Sequence, residues 1–370
     1  MTSCDLVLCV SVGPGEVLGA LDILDAGRCY LDGQYRVVVV DDTGGSSLWW
    51  RLRAYDEVDY LRNWRRHGFR HLVRSIQKAY RHALAHYDGA AVLTLDSDAL
   101  ITGPGLSADT LSYLRAHAEV GILGSTRWRE REDAYWGAKL ERNIEHWRDA
   151  VEKARRWGYR LGESALGGAY VLSRPCLEDM DRAGYLSRHP AGERIACDVV
   201  FSLFARSLGY EIHDLAGPGQ PFALAWRGLP IPKEAIVAQE KKVIHSVKFG
   251  VDDLRIRAYF ARIRRHRVGR LGTAPGNGRS RSGRPGRAGG RRLRVSLLCW
   301  RLAVVAVDAG RLSRARCLLR RARAVNGWRP TTWGLLILCL LPPGIPRMLL
   351  GLGRQGRRFM DRLTTRERVA

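Results

Sequence analysis

The chain has 370 residues, 46% of them hydrophobic, with a formal net charge of +24, a composition that supports one large core or two smaller ones and excludes a disordered chain. Residues 251 to 370 hold 29 Lys and Arg against 5 Asp and Glu, which accounts for the whole +24, whereas residues 1 to 250 balance 32 against 32. A neutral first part with a basic appendage argues against a protein that is a nucleic-acid binder throughout and confines the electrostatic partner to the tail.

Residues 6 to 12 and 35 to 40 are β-rich runs separated by a helical stretch at about residues 16 to 26, so the chain opens as a βαβ unit. The second run ends in Asp41, Asp42, Thr43 and Gly44, acids at a strand end followed by a turn. A helix predicted at about residues 69 to 86 carries Arg70, Arg74 and Lys78 four apart on one face, with Leu72, Ile76, Ala79 and Leu84 available to the core. Such a basic face either meets solvent or meets phosphate.

The stretch VLTLDSDALI, residues 92 to 101, carries the most chemistry. Its first four residues read as a strand buried on both faces, and the run stops at two carboxylates, Asp96 and Asp98. Ligands of open α/β sheets gather at the carboxyl ends of strands. Two anions at i and i+2 repel unless a cation joins them, and hard oxygen ligands suit Mg²⁺ or Mn²⁺. The bland alternative is that Asp and Ser merely end the strand in a turn.

Residues 128 to 158 are rich in Trp, Arg and Glu and have helical character, fitting either an acceptor lid or a packed helical insertion. In LGGAYVLSR, residues 166 to 174, Gly167 and Gly168 permit close backbone approach before a strand at residues 169 to 173, although a tight turn would use them equally well. Asp198 opens a helical pattern, DVVFSLFARSLGY, where it is either a functional acid or a helix cap. Finally, in KKVIHSVKFG, residues 241 to 250, His245 ends a short apolar run and Lys248 follows three residues later. An imidazole can complete a carboxylate metal site and an ammonium can neutralise a phosphate.

Taken in order, VVVVDDTG, LDSDAL, LGGAYVLSR, ACDVVF and VIHSVK resemble the GT-A glycosyltransferases over about residues 5 to 265. The resemblance implies an α/β fold, a GT-A-like single domain with a mostly parallel central sheet, which transfers sugar from a nucleotide-sugar donor with a divalent metal, Mn²⁺ or Mg²⁺. It implies that Asp41 or Asp42 contacts the base or ribose, that Asp96 and Asp98 serve ribose and metal, that His245 is a late metal ligand, and that Lys248 sits on the diphosphate. Arg74, Lys78, Gly167 and Gly168 join the donor side. Asp198 matches the acid that activates the acceptor hydroxyl in inverting members, which often carry Glu-Asp where this chain has Cys197-Asp198. The acceptor is a glycan, a lipid-linked or a small molecule.

The organisation expected is a catalytic domain at residues 1 to 263, a flexible Arg, Gly and Ser-rich linker at 264 to 294, and a basic amphipathic helical tail at 295 to 370. The longest apolar run, residues 333 to 341, is about half the roughly 20 residues a membrane-spanning helix needs, and Pro342 and Pro343 follow it. Apolar anchoring beside Arg clusters instead suits an anionic membrane surface. The eight cysteines form no C-x-x-C pair and no secretory leader precedes them, so the compartment expected is the cytoplasm, peripheral at the inner face of the membrane, with no specific nucleic acid as partner. A nucleotidyltransferase acting on sugar phosphates would also want an Asp-x-Asp, but the loop SVGPGE after the first strand lacks a basic residue. A haloacid-dehalogenase-type phosphatase would carry Thr or Val where Leu100 stands. A non-catalytic RNA- or membrane-binding protein would not need the acidic strand ends.

Overall fold

The computed structural model describes residues 1–63, 72–126, 130–187, 195–248 and 251–272. In chain order the elements are β1 (Leu6–Val12), α1 (Val17–Tyr30), β2 (Tyr35–Asp41), α2 (Ser47–Leu52), β3 (Val58–Arg62), α3 (Leu72–His86), β4 (Ala91–Asp96), β5 (Leu100–Ile101), α4 (Leu106–Ala116) and β6 (Val120–Gly124). They continue with α5 (Glu130–Arg142), α6 (Ile144–Arg156), β7 (Ala169–Ser173), α7 (Arg174–Arg182), α8 (Cys197–Ser207), β8 (Glu211–Asp214), β9 (Phe222–Leu224), α9 (Lys233–Ala238), β10 (Val243–His245) and α10 (Val251–Gly272). Seven strands form one sheet in the order β3-β2-β1-β4-β7-β6-β8. All its pairings are parallel except those of β7, which runs antiparallel to β4 and β6. The expected α/β class with a mostly parallel central sheet is therefore present.

The strands form where side chains alternate between two apolar layers. Leu6, Leu8, Val10 and Val12 of β1 share one core with Val37, Val39, Leu93 and Leu95. Val7 and Cys9 share the other with Val38, Val40 and Val92. Helices cover both faces, as a parallel sheet requires: α1 residues Ile23 and Leu24 and α10 residue Phe260 line the first core, and α3, α6 and α8 line the second. Each aliphatic side chain buried this way contributes about 1.5–3 kcal/mol.

Three sequence expectations shift in detail. The first helix runs to Tyr30 rather than stopping near residue 26, because Ala26, Gly27 and Tyr30 are buried and extend its packed face. On α3 the buried seam is Val73, Ile76, Tyr80 and Ala83, so Leu72 and Leu84 flank it and are only partly buried. In the Trp-rich stretch, Trp136 and Trp147 are buried in the second core, which makes α5 and α6 a packed insertion at these positions; Trp157 is exposed.

A second, three-stranded sheet, β5-β10-β9, stands at the carboxyl side of β4. β5 follows the Asp96–Asp98 turn directly and pairs antiparallel with β10, which brings the end of β10 back to that turn. The helix α10 continues through residue 263 to Gly272. The remaining linker, the basic tail at 295 to 370, Arg70 and Trp128 lie outside the described residues. No described helix is long and apolar enough to cross a membrane.

Candidate active site

The first acidic residue arrives by simple strand extension. Ala91 to Leu95 are buried and Asp96 is the next residue, at the carboxyl edge, where its amide donates to the Gly168 carbonyl at 2.9 Å. The Ala99 amide donates back to the Asp96 carbonyl at 2.9 Å, closing a turn across Ser97 and Asp98. From just past β10, the Val247 amide donates to the Asp98 carbonyl at 2.8 Å. The outcome is that the ligand atoms of Asp96, Asp98 and His245 lie within 4.8 Å of one another.

His245 is held in one orientation. Its Nδ1 is 2.9 Å from the Ala225 carbonyl and its Nε2 is 3.2 Å from Asp98 Oδ1. A carbonyl only accepts, so Nδ1 carries the proton. In the neutral ring Nε2 then presents a lone pair toward a carboxylate, an arrangement that requires either protonation of the ring or a cation between the two. The outer hydrogen bond to Ala225 is of the kind that orients metal-binding imidazoles. Beneath the ring lies Gly168 at φ +96°, where a Cβ would come within 2.3 Å of His245 Cδ2. Close approach therefore explains this glycine better than the turn alone.

The electrostatics record the crowding. Burial, with the negative charges of Asp98, Asp198 and Glu16 adding to it, pushes the Asp96 carboxyl up to about 7 against the opposing pull of His245. Burial would also raise Asp98, but its hydrogen bond to His245 and the charges of His245 and Lys248 hold it below the ordinary carboxylate value. Burial acts to depress His245, and the adjoining Asp98, then Asp96, outweigh it and raise the imidazole. The raised Asp96 and His245 thus mark a dense group of anions that favours holding protons in the metal-free chain.

Asp198 sits in the first turn of α8, buried, with Oδ2 accepting the Gly167 amide at 2.8 Å. The amino end of a helix favours a negative side chain there. Gly167 and Gly168 therefore join two site residues: one amide holds Asp198, and the next residue lies against His245. Asp198 also acts electrostatically on Asp96.

Of the other predicted residues, Asp41 and Asp42 lie at and just past the end of β2, Arg74 and Lys78 on α3, and Lys248 three residues past β10. Asp41 is buried at the end of β2, its Oδ1 accepting the Thr43 amide at 2.8 Å and its Oδ2 the Tyr60 hydroxyl at 2.6 Å, so its carboxylate braces the turn that follows. Asp42 is next and also buried. Lys78 donates to the Arg62 carbonyl at 2.7 Å and to Asn63 Oδ1 at 3.3 Å, and burial together with Arg81 lowers its pKa. Among the described residues the Arg74 Nε is buried without a hydrogen bond. Lys248 is exposed and near enough to Asp98 to act on it by charge.

Several residues at the site were not anticipated. Glu16 Oε2 accepts the Gly13 amide at 2.7 Å and the Ser97 hydroxyl at 2.7 Å, tying the β1 loop to the Asp96–Asp98 turn. Arg257 of α10, 7% exposed, donates to the Val247 carbonyl at 2.6 and 3.0 Å and to the Ser97 carbonyl at 3.3 Å, and pairs with Asp22 at 3.0 Å. Arg264 pairs with the same Asp22 at 2.6 Å. One buried guanidinium thus spans the segments bearing Asp98 and His245. The seven-residue interval between Arg257 and Arg264, two helical turns, was the available signal, and it was lost among the basic residues around it. Trp226, one residue past Ala225, is 46% exposed.

No family model matches the chain, and no curated relative matches it. Among solved structures it aligns with the bifunctional glycosyltransferase WbbM at 10% identity and a TM-score of 0.40, covering 65% of this chain and 45% of that one, so it spans less than half of WbbM. It aligns with a glycosyltransferase involved in glycosylating the major capsid of PBCV-1 at 11% identity and TM-score 0.37, over 70% of this chain and 99% of the other. Mouse xyloside xylosyltransferase 1 aligns at 10% identity and TM-score 0.37, over 66% and 98%.

Proposed function

We propose that the chain is a glycosyltransferase of the GT-A kind, moving a sugar from a nucleoside-diphosphate sugar to an acceptor hydroxyl with Mn²⁺ or Mg²⁺. The observation that carries this reading is the convergence of Asp96, Asp98 and His245 at the carboxyl edge of a mostly parallel sheet, with the imidazole Nε2 facing the Asp98 carboxylate. Two oxygens and one nitrogen suit a hard or borderline divalent ion, and Gly168 leaves the space in which the imidazole lies. Asp96 and Asp98 Oδ atoms and His245 Nε2 would hold the metal, which when bound supplies charge stabilisation to the departing diphosphate.

The chain's own groups divide the remaining work. Lys248, with Arg74 and Lys78 on the donor side, neutralises phosphate charge, while Asp42 and Asp41 lie at the strand end proposed for the base or ribose. As the acceptor oxygen bonds to the anomeric carbon, the carbon–oxygen bond to phosphate breaks and its electron pair goes to the diphosphate. Asp198 takes the acceptor proton, a role worth about 10²–10⁴ in rate. Trp226 offers an exposed aromatic face next to the His245 support, suited to the apolar face of a sugar ring. A nucleotidyltransferase is less well served, because the β1 loop already commits its Gly13 amide to the anionic Glu16 rather than to a phosphate. The basic tail is proposed to hold the activity at an anionic membrane surface on the cytoplasmic side.

Release of nucleoside diphosphate from a panel of nucleotide-sugars, with Mn²⁺ or with chelator, tests the reading. One donor should be hydrolysed slowly, only with metal, and should raise the melting temperature. A panel in which no donor is turned over or stabilises the protein overturns it.

A further inference from the structure

On the opposite edge of the sheet, His117, Glu119, Glu211 and His213 form a second group of metal-binding side chains. Glu119 immediately precedes β6 and Glu211 begins β8, and the Glu211 amide donates to the Glu119 carbonyl at 2.9 Å, so the parallel pairing of the two strands fixes the glutamates side by side. Glu211 and His213 are two apart on β8 and share a face. The ligand atoms of Glu119, Glu211 and His213 lie within 4.8 Å of one another. His117 adds a fourth donor at the same place: its Nδ1 is 3.1 Å from Glu119 Oε1, and its ring centroid is 5.8 Å from that of His213.

The ring of His213 is oriented as a ligand would be. Nδ1 meets the Tyr113 hydroxyl at 3.0 Å, which leaves Nε2 facing Glu211 Oε2 at 2.8 Å. A hydrogen bond on the ring nitrogen away from the metal is the usual support of a metal-bound imidazole, and Tyr113 stands in that place. In the metal-free chain each carboxylate is paired with one imidazole, Glu119 with His117 and Glu211 with His213, and a divalent ion would draw all four groups to one centre. Two imidazole nitrogens and two carboxylate oxygens suit Zn²⁺ and its neighbours Co²⁺, Ni²⁺ and Cu²⁺ better than Mg²⁺.

We propose that His117, Glu119, Glu211 and His213 form a second, solvent-facing site for a borderline divalent metal of the zinc type, which pins the edge strand β8 to the start of β6. The side chains are between 25% and 51% exposed, so the ion exchanges freely with solvent. This inference does not rest on the glycosyl-transfer reading.

The test uses the chelator-stripped full-length chain carrying Asp98→Asn, which disables the first centre, titrated with Zn²⁺ by calorimetry and with Co²⁺ by visible absorption. This protein should still take up metal at one site. Adding His213→Ala should weaken binding by more than about 100-fold, and Tyr113→Phe by about 10-fold through loss of the ring's outer hydrogen bond. Glu119→Gln, at a half-exposed position that the fold does not need, repeats the test where His213→Ala unfolds; circular dichroism reports which variants are folded. Failure of the Asp98→Asn protein to bind either ion overturns the proposal, as does unchanged affinity in a folded His213→Ala or Glu119→Gln variant.

Discussion

The carboxyl end of β4 and the amino ends of β6 and β8 both gather carboxylates and imidazole, yet one group is enclosed and the other is open to water. At the first end Asp98, Asp198, His245 and Arg257 are largely withdrawn from solvent, each with a hydrogen-bonded partner. At the second, Glu119 and Glu211 are about half exposed and pair with histidines in water. Burying charge is costly unless it is paired, so the first group persists only because the surrounding backbone supports it. The open group carries little energy either way. The difference teaches where the fold tolerates buried anions, at the carboxyl end of β4, and where it leaves them to water.

The most drastic way to break the buried end is Asp98→Asn, which should lower donor turnover on the order of 10³-fold and remove metal-dependent nucleotide binding, measured by product release against metal concentration. A folded variant with parent-like metal dependence rejects the centre. Asp198→Asn comes next: transfer to acceptor should drop by about 10²–10³-fold while slow donor hydrolysis and donor affinity hardly move. Equal loss in both would make Asp198 a brace for Gly167 only, since the N-cap position of α8 is Ala196 rather than Asp198.

Arg257→Met tests the support rather than the ligands. It removes the link between the Ser97 and Val247 carbonyls and should cost about 3 kcal/mol in denaturant unfolding, with a higher metal requirement in what remains folded. Arg257→Lys should recover part of the stability and little of the metal affinity. A parent-like metal requirement in both variants would show that α10 stabilises without positioning.

A smaller effect is expected from pH. Asp96 is raised in the folded chain, so folding takes up protons there and the metal-free protein loses stability as pH rises toward about 7. His245 is raised too, and its contribution, full below the unfolded value of 6.5, is lost as pH passes through the folded one. The depressed Asp98 acts oppositely, but only in acid. Metal binding displaces the same protons, so Mn²⁺ should raise the melting temperature more at about pH 8 than at about pH 6. Equal shifts at the two values would contradict the charge balance described above. The smallest effect belongs to the open end: in chelator, Glu119→Gln should change stability by less than about 0.5 kcal/mol, and a larger loss would show that the two ends are not so different.

Much of the buried site was legible because strand ends announce themselves. A run of β-branched and apolar residues stopping at Asp96, and another stopping at His245, each needed only a local pattern, and the α/β class followed from several such runs. Arg257 and Glu16 were not legible, because their partners are backbone groups of distant segments: Ser97 and Val247 in one case, Gly13 and Ser97 in the other. Nor was the role of Gly168, since a glycine in a turn and one lying under a side chain look alike until that side chain is present. The outer cluster was missed for a related reason. His117, Glu119, Glu211 and His213 are ordinary surface residues in sequence, and only the β6–β8 register makes them neighbours.

The sequence by itself determined the alternating strands, the acidic strand ends and the partition of charge between a neutral first 250 residues and a basic remainder, because each is set by local periodicity and composition. Tertiary structure alone decided which strand ends meet. The pairing of β5 with β10 carries His245 to Asp98, and the antiparallel β7 puts Gly168 against the ring and Gly167 against Asp198. Those contacts depend on strand order and register, which are fixed by burying two faces of one sheet at once and leave no mark on any single segment.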